Sequence, residues 1–447
     1  MRLFSILGAM ALAVVMSISG ASAQGSDSRY IIMFSKNAIP ANANGKIASA
    51  GGQVVLSLPQ VGIAIAASSD PDFAVRASGI KGVFSVGPEA VHGVPDVEEI
   101  AMPEAPTGAD VLFNIGLLWG IERVHAPEAW SYGHTGSHGT VLAVIDTGVA
   151  WNHPDLAPNV MDMQCFASVA CNPYPGYSDH GTHVAGTAAA AFDGGLVVGV
   201  APELSIASYN VFEPIAGCGV CAYSSSRWSA MIDAADKGYE VITMSLGGTA
   251  QYGFGRTDGL ATFVAAEKRI ANYVNQMGTN MVASAGNSAL DLTGNIVHVP
   301  GDIPGIVNTS ATGIQTEPRY TEDSVDIIAF YSNVGAPVTV AGPGGDCGSV
   351  LGCVAKPDWF EHLILSSTVA ADPACAATAD CPLGYGWKGG TSMATPHVSA
   401  VLALIRDANP GISPAQAVSI LTSTADNIGS RLTFGHGMVN AEAAANK

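Results

Sequence analysis

Three short segments, far apart in the chain, carry chemical groups that together could activate a hydroxyl. VLAVIDTGV contains Asp146, DHGTHVAGT contains His180, and GGTSMATPHVSAVLALI contains Ser392. A serine hydroxyl is a weak nucleophile and needs a base that removes its proton as it attacks. Histidine, with a pKa of about 6.5, suits that role when a carboxylate holds its tautomer. We therefore predict acyl-transfer chemistry with Ser392 as nucleophile, His180 as base and Asp146 as orienting acid.

Each of these groups has a simpler interpretation when it is taken alone. An aspartate after a strand is often a turn residue, a buried histidine often makes a local hydrogen bond, and a serine often caps a helix. However, the segments D-T-G, H-G-T-H-V-A-G-T and G-T-S-M-A-T-P-H-V resemble the motifs of the subtilisin family of serine proteases. They also occur in that family's order of acid, base and nucleophile. The combination predicts a subtilisin-like serine protease.

The resemblance implies roles for other polar residues near these motifs. Asn287, in VASAGN, matches the family's A-G-N segment and would stabilise the oxyanion of the tetrahedral intermediate, although a simple turn residue after Gly286 is the alternative. In HGTHVAG the family motif makes the first histidine catalytic, so His180 is preferred to His183. His183 and His397 are interpreted as structural residues.

The same resemblance implies where a peptide substrate binds. Ser245, Leu246 and Gly247 belong to an S-L-G-G segment that would line one side of the pocket for the residue before the scissile bond. Ala285 and Gly286 would line its other side, and the substrate would add as an extended strand. Because these residues are uncharged, we expect the pocket to prefer an uncharged side chain over Arg or Lys.

The elements that must position these residues follow from the hydrophobic pattern after about residue 117. Apolar runs of strand length alternate with helical patterns, which predicts an α/β fold with a mostly parallel sheet and helices on both faces. Functional groups in such sheets lie at the carboxyl ends of strands. The predicted strands are 141–146, 204–212, 240–246, 280–286 and 305–311, and the predicted helices are 182–191, 224–238, 262–278 and the run after Ser392.

The N-terminal part of the chain has a different pattern. Residues 1–23 have a basic start, an apolar run and a small-residue cleavage site, which is typical of a secretory signal. The following region has the order βαββαβ, which predicts a small α+β ferredoxin-like unit. In the subtilisin family such a unit is a propeptide that acts as chaperone and inhibitor. We therefore expect a propeptide with its linker at 24–105 and a catalytic domain at 106–447, with a processing zone at 95–106.

Composition and cysteine spacing restrict the class of protein further. The 447 residues carry a net charge of −19, which disfavours nucleic acid and anionic membranes as partners. The eight cysteines form neighbouring pairs, which predicts local disulfides in an exported protein. The second pair could instead be a redox or zinc half-site, but no matching pair lies nearby. The pairs are Cys165 and Cys171, Cys218 and Cys221, Cys347 and Cys353, and Cys375 and Cys381.

The predicted chemistry requires no cofactor, although the resemblance implies a structural calcium ion. Asp155 and Asp193 are the candidate ligands, but calcium takes roughly 6–8 oxygens and both residues are also typical of turns. We predict a secreted, extracellular or periplasmic, monomeric endopeptidase that acts on proteins or peptides and is inhibited by its own propeptide. The alternatives are a maturation protease with few targets, or a peptide-binding module that has lost catalysis.

Overall fold

The computed structural model of the protein describes most of the chain after the predicted signal segment 1–23, which lies outside it. The described residues are 28–102, 108, 110–167, 171–192, 195–252, 259–315, 319–321, 323–346 and 358–447.

A small N-terminal unit forms the antiparallel sheet β2-β3-β1-β4 with two helices. This arrangement confirms the predicted βαββαβ order and its ferredoxin-like topology. Two short strands follow the unit and pair with strands of the larger unit instead. In chain order the elements are β1 (Ser28–Phe34), α1 (Ala43–Ser49), β2 (Gln53–Leu58), β3 (Ile63–Ser68), α2 (Phe73–Ser78), β4 (Val83–Pro88), β5 (Val91–Gly93) and β6 (Glu98–Ala101).

The larger unit contains the remaining strands, and eight of them form its main sheet. In chain order they are β7 (Val141–Asp146), β8 (Val160–Cys165), β9 (Ser205–Asn210), β10 (Glu213–Ile215), β11 (Gly219–Tyr223), β12 (Val241–Met244), β13 (Gly248–Gln251), β14 (Asn280–Ser284), β15 (Ile296–Val299), β16 (Val307–Ile314), β17 (Asp326–Ile328), β18 (Val340–Pro343), β19 (Ile364–Val369) and β20 (Leu383–Gly389).

No helix in the described part of the chain is both long and apolar enough to cross a membrane. The helices of the larger unit include four long ones that cover its sheet. In chain order they are α3 (Val111–Asn114), α4 (Trp119–Arg123), α5 (Ala126–Ser131), α6 (His180–Ala189), α7 (Ser224–Asp236), α8 (Leu260–Met277), α9 (Pro373–Ala376), α10 (Thr391–Ala408), α11 (Pro414–Ser423), α12 (Arg431–Phe434) and α13 (Ala441–Ala445), with a 3-10 turn at Trp359–His362.

The main sheet has the order β17-β16-β14-β12-β7-β9-β8, with β18 beside β16. Every neighbouring pair is parallel except β16 and β17. Alternate residues of the fully buried strand β7 enter two different cores. Leu142 and Val144 pack with helices α6 and α10, whereas Ala143 and Ile145 pack with α7 and α8. The α/β fold with helices on both faces is therefore confirmed.

The N-terminal unit packs on helices α7 and α8 through one face of its sheet. Ile31 and Met33 of β1 join the core that contains these helices, whereas Ile32 and Phe34 pack under α1 and α2. The period of two in a strand explains this division. The short sheet is therefore covered on both faces, by its own helices and by the larger unit.

Three of the predicted disulfides are present and each closes a short loop. The pair Cys347 and Cys353 lies outside the described residues. The bond between Cys218 and Cys221 lies at strand β11 and excludes the zinc half-site interpretation for these two cysteines. The observed bonds are Cys165–Cys171, Cys218–Cys221 and Cys375–Cys381.

An ionic network joins the start of the larger unit to its C-terminal helices. Arg123 contacts Asp326 at 2.6 Å and Asp426 at 3.1 Å, and Asn440 Nδ2 donates to Asp426 Oδ1 at 3.0 Å. Burial acts to raise the pKa of Asp426, but hydrogen bonds from His125, Asn440 and Arg123 outweigh it and lower the pKa to about 2. The ionised carboxylate therefore stabilises the folded state.

We expect Asp426→Asn to destabilise the protein at neutral pH more than in acid. A carboxyl whose pKa is lowered on folding contributes stability above its unfolded pKa of about 4, and loses it as the pH falls through the folded value. Because the group is partly exposed, the loss should be about 1 kcal/mol near pH 6 and approach zero near pH 2. Urea unfolding at both pH values measures it. Asp323→Asn, at an exposed site, is the control, and a pH-independent loss would contradict the assignment.

Candidate active site

Asp146 is the last residue of the buried strand β7, and its side chain lies at the carboxyl edge of the main sheet. The residue is only 1% exposed. Its Oδ1 accepts hydrogen bonds from the backbone N–H of Thr147 and from Nδ1 of His180, both at 2.8 Å. The carboxylate therefore fixes the imidazole with Nδ1 protonated, which leaves Nε2 to act as a base.

His180 is the first residue of helix α6, and the preceding loop fixes its backbone. Its N–H donates to Ser178 Oγ at 3.2 Å, and the N–H of Gly181 donates to Thr147 Oγ1 at 2.9 Å. His180 is 1% exposed, and its Nε2 has no hydrogen-bond partner among the residues that the structure describes. The basic nitrogen is thus dry and available for a proton.

Ser392 lies in the first turn of helix α10 and is fully buried. Its Oγ donates to the carbonyl oxygen of Ser245 at 3.0 Å, and Ser245 Oγ donates to the carbonyl oxygen of Ser392 at 2.8 Å. In this state the hydroxyl is therefore bound to Ser245 rather than to His180 Nε2. Nucleophilic attack therefore requires the Ser392 hydroxyl to leave the Ser245 carbonyl oxygen and donate to His180 Nε2.

The other two histidines of the motifs bind backbone oxygens. His183 Nε2 lies 3.0 Å from the carbonyl oxygen of Ile364 and 3.1 Å from that of Gly386. His397 Nδ1 lies 2.8 Å from the carbonyl oxygen of Met393. Burial lowers the pKa of His183 well below its usual value and that of His397 to about 4. His183 therefore joins helix α6 to strands β19 and β20, whereas His397 bonds within its own helix α10.

Asn287 follows strand β14, and its side chain is oriented by the residue before Ser392. Its Oδ1 accepts hydrogen bonds from the N–H of Thr391 at 2.9 Å and from Thr391 Oγ1 at 2.6 Å. The amide Nδ2 therefore points away from helix α10 and donates to the carbonyl oxygen of Asp96 at 2.9 Å. A side chain held in this way is preorganised to meet a carbonyl oxygen.

The segment that contains Asp96 crosses the site in an extended form. On one side β5 pairs antiparallel with β11, where Gly93 lies opposite Cys221. On the other side β6 pairs antiparallel with β20, where Glu98 lies opposite Gly389. The chain between N-terminal and larger units is thus added to two edges of the larger unit, which is how proteases hold peptides.

A cavity of about 60 Å³ adjoins Ser392 and Asn287, and we call it the specificity pocket. Gly247 and Gly286 line this cavity, whereas Leu246 and Ala285 are fully buried and do not line it, and a role of any of them in binding substrate stays a prediction. Ser245 instead forms the hydrogen bonds with Ser392. The residues of the specificity pocket are Gly247, Gly248, Thr249, Ser284, Gly286, Asn287, Ser288, His298, Thr391 and Ser392, with Pro95 and Asp96 from the crossing segment.

His298 is the lining residue that sequence reasoning missed. It belongs to β15, opposite Thr249 of β13, and its Nδ1 lies 2.9 Å from Thr249 Oγ1. A Cβ atom on Gly247 would lie 2.5 Å from His298 Nε2, and one on Gly286 would lie 2.7 Å from Nδ1. The two glycines therefore leave space for the ring. The sequence VHVP, with a histidine between two valines, could have indicated a buried polar residue. Its role was missed because its strand partner lies 49 residues away in the sequence.

The family assignment follows from comparison with known proteins. Residues 137–437 match the model of the subtilase family. The chain belongs to the subtilase family. Subtilisin NAT from Bacillus subtilis subsp. natto is 29% identical over 99% of this chain and 98% of its own length. A subtilisin from Bacillus pumilus is 32% identical over 73% of this chain and 98% of its own length.

Two solved structures have the same fold as this chain. Fervidolysin from Fervidobacterium pennivorans, a keratinolytic enzyme, is 25% identical with a TM-score of 0.70, covering 95% of this chain and 62% of its own. The epidermin leader peptide processing protease from Staphylococcus aureus is 20% identical with the same TM-score, covering 94% and 98%. This subtilase is therefore a serine endopeptidase, as predicted, and subtilisins need no cofactor for catalysis.

Subtilisins typically bind structural calcium, but the surroundings of Asp155 do not fit a calcium ligand. Its Oδ1 accepts the N–H of Leu196 at 3.1 Å, and its Oδ2 accepts the N–H of Val197 at 3.3 Å. Each N–H uses only one lone pair of its oxygen, but no group of three or more His, Cys, Asp or Glu residues that could hold a metal ion occurs among the described residues. Burial raises the pKa of Asp155. Asp193, the second predicted ligand, lies outside the described residues.

We expect Asp155→Ala to lower the melting temperature of the subtilase by the same amount with and without calcium. Removing the carboxylate leaves two backbone N–H groups without acceptors, which costs about 2 kcal/mol, or a few degrees. The measurement compares variant and wild type in calcium and in EDTA. If the two proteins differ only when calcium is present, Asp155 is a calcium ligand and this interpretation is wrong.

Proposed function

We propose that this subtilase is a secreted endopeptidase that is made as a zymogen and cuts itself free of its N-terminal unit. The observation that carries the proposal is the hydrogen bond from Asn287 Nδ2 to the carbonyl oxygen of Asp96. It places a peptide carbonyl of the same chain at the group that would stabilise an oxyanion. The hydrogen bond between Asp146 and His180 supplies the oriented base beside it.

In the proposed reaction Ser392 Oγ attacks the substrate carbonyl carbon while His180 Nε2 takes the hydroxyl proton. Asp146 holds the ring by Nδ1 and stabilises the imidazolium that forms. The carbonyl oxygen becomes negative and accepts a hydrogen bond from Asn287, which lowers the activation barrier by on the order of 3–4 kcal/mol. His180 then protonates the leaving amine, and water releases the acyl group from Ser392 by the same steps.

The position of the crossing segment supports the bond between Asp96 and Val97 as the site of self-cleavage. A Cβ atom on Gly390 would lie 3.0 Å from Val97 Cγ1, so the residue after Asp96 lies directly beside the turn that precedes Ser392. Strands β5 and β6 hold the chain on both sides of this bond. The bond lies inside the predicted processing zone 95–106, and it moves the proposed end of the propeptide from residue 105 to residue 96.

Several contacts would keep the cleaved propeptide bound as an inhibitor. Glu89 Oε1 accepts the N–H of Ser225 at 2.9 Å at the start of helix α7, where the helix dipole favours an anion. Arg29 Nε donates to the other oxygen of Glu89 at 2.6 Å. On the neighbouring helix, Arg269 Nη1 donates to the carbonyl oxygen of Phe34 at 2.8 Å. These polar contacts flank the apolar face of β1.

Secretion is supported by the predicted signal at 1–23 and by the cysteines. The described residues contain three disulfides, which persist in oxidising compartments. The homologous subtilisins are secreted extracellular enzymes. We propose that the mature enzyme is monomeric and acts on proteins or peptides outside the cell or in the periplasm.

We expect the wild-type chain to yield a mature protein that begins at Val97 and reacts with a fluorophosphonate serine reagent. Ser392→Ala should accumulate a precursor that keeps the N-terminal unit and takes up no reagent, because both reactions need the same hydroxyl. N-terminal sequencing and mass spectrometry measure both outcomes.

The matched control for this experiment is Ser399→Ala, on the same helix, whose hydroxyl donates to the carbonyl oxygen of Thr395 in the preceding turn. It should process and label normally. Normal removal of the propeptide from Ser392→Ala would show that another protease cuts it. A mature N-terminus other than Val97 would contradict the proposed bond.

We expect Glu89→Gln to shorten the delay between self-cleavage and the appearance of activity by about tenfold. The amide loses the charge that the start of α7 and Arg29 stabilise, and hydrogen bonds to charged groups contribute about 1.5–3 kcal/mol. The assay follows precursor cleavage by electrophoresis and activity by peptide hydrolysis in the same sample. Asp72→Asn, an exposed acid on the same unit, should behave as wild type. An unchanged delay in Glu89→Gln would contradict the inhibitory contact.

A further inference from the structure

The specificity pocket contains an imidazole whose second nitrogen has no partner. His298 is 5% exposed, and its Nε2 is buried without a hydrogen bond to any residue in the described ranges. The ring lies against the two glycines that form the pocket walls, Gly247 and Gly286. The His298 ring is therefore part of the wall of the pocket that borders Asn287 and Ser392, and its unpartnered Nε2 lies beside Gly247.

The partner of Nδ1 determines what Nε2 can bind. A threonine hydroxyl is a donor and an acceptor, and when Thr249 Oγ1 donates to Nδ1 the ring proton lies on Nε2. Burial lowers the pKa of His298 to about 4, so the ring is neutral near pH 7. The pocket then presents one buried N–H donor that lacks an acceptor.

We propose that His298 makes the specificity pocket select a residue before the scissile bond whose side chain ends in an oxygen acceptor. The class comprises glutamine and glutamate, followed by the shorter asparagine and aspartate. An apolar side chain would bury the Nε2–H without a partner, and sites built for a hydrogen bond reject ligands that lack it. The inference rests on the proposed function, because it deepens the substrate choice of that site.

The chain's own crossing segment carries a residue of the proposed class before the proposed scissile bond. Asp96, whose carbonyl oxygen lies at Asn287, belongs to the proposed class and lines the pocket. Its side chain is exposed, and no hydrogen bond between its carboxylate and His298 is present among the described residues. A glutamine or glutamate is one methylene longer, so we expect these two residues to be cleaved faster than aspartate or asparagine.

The pocket also differs from the expectation drawn from sequence. The small residues Gly247 and Gly286 alone indicated a preference for any uncharged side chain. With His298 between them, leucine and phenylalanine lose their advantage while arginine still finds no counter-charge. The glutamine and glutamate arms of the experiment distinguish a preference for a neutral acceptor from one for a carboxylate.

The experiment measures kcat/KM of the mature enzyme at pH 7 on peptides that differ only in the residue before the scissile bond. Glutamine or glutamate should exceed leucine, phenylalanine and arginine by about tenfold or more, the effect of one buried hydrogen bond. A wild-type enzyme that prefers leucine, phenylalanine or arginine overturns the inference while the proposed function stands. An enzyme that cleaves none of the peptides overturns the proposed function, and the inference with it.

Variants test whether His298 is the cause of the preference. His298→Ala should lower the glutamine-to-leucine ratio of kcat/KM by about tenfold, and Thr249→Val, which removes the partner of Nδ1 without changing its shape, should lower it less. His138→Ala, at an exposed site outside the pocket, should keep the wild-type ratio. An unchanged glutamine-to-leucine ratio in His298→Ala overturns the inference. If His298→Ala does not fold, an unchanged ratio in Thr249→Val overturns it.

Discussion

The hydrogen bond of 2.8 Å between Asp146 Oδ1 and His180 Nδ1 forms only if the end of a strand and the start of a helix are held in a fixed relative position. Strand β7 supplies the first because it lies in the middle of a parallel sheet and is buried on both faces. Helix α6 supplies the second, and His183, one turn further on, bonds it to the β19–β20 hairpin. The hydrophobic core thus has a catalytic consequence, since any shift of α6 against the sheet would misalign the proposed base.

The substrate side of the site depends on edges rather than on the core. Strands β11 and β20 each pair along one edge with the crossing segment, and Asn287, which follows β14, donates to the Asp96 carbonyl oxygen between these two pairings. In the proposed mode of binding, the enzyme would recognise a peptide mainly through its main chain, and the specificity pocket would add selectivity through residues such as His298.

Sequence reasoning found the parts of the fold and site that are encoded in contiguous residues. The strand VLAVID, the helix after Ser392 and the motif residues Asp146 and His180 were predicted because periodicity and motif occur within a few residues. The β19–β20 hairpin and His298 were missed because their meaning depends on pairing with distant segments. Strand β16, VNTSATGI, is fully buried although half of its residues are polar, and its end was predicted three residues short because its apolar pattern fades.

Strand β1, which packs against the larger unit on one face and against its own helices on the other, would make the proposed activation irreversible. While the propeptide is bound, Ile31 and Met33 are shielded by helices α7 and α8. Departure would carry that apolar face into water, where the free unit loses the burial that stabilises it and becomes more open to digestion by the enzyme it leaves. Inhibition by the propeptide would then be irreversible once relieved, because a released unit that is digested cannot bind again. Each molecule would be activated once.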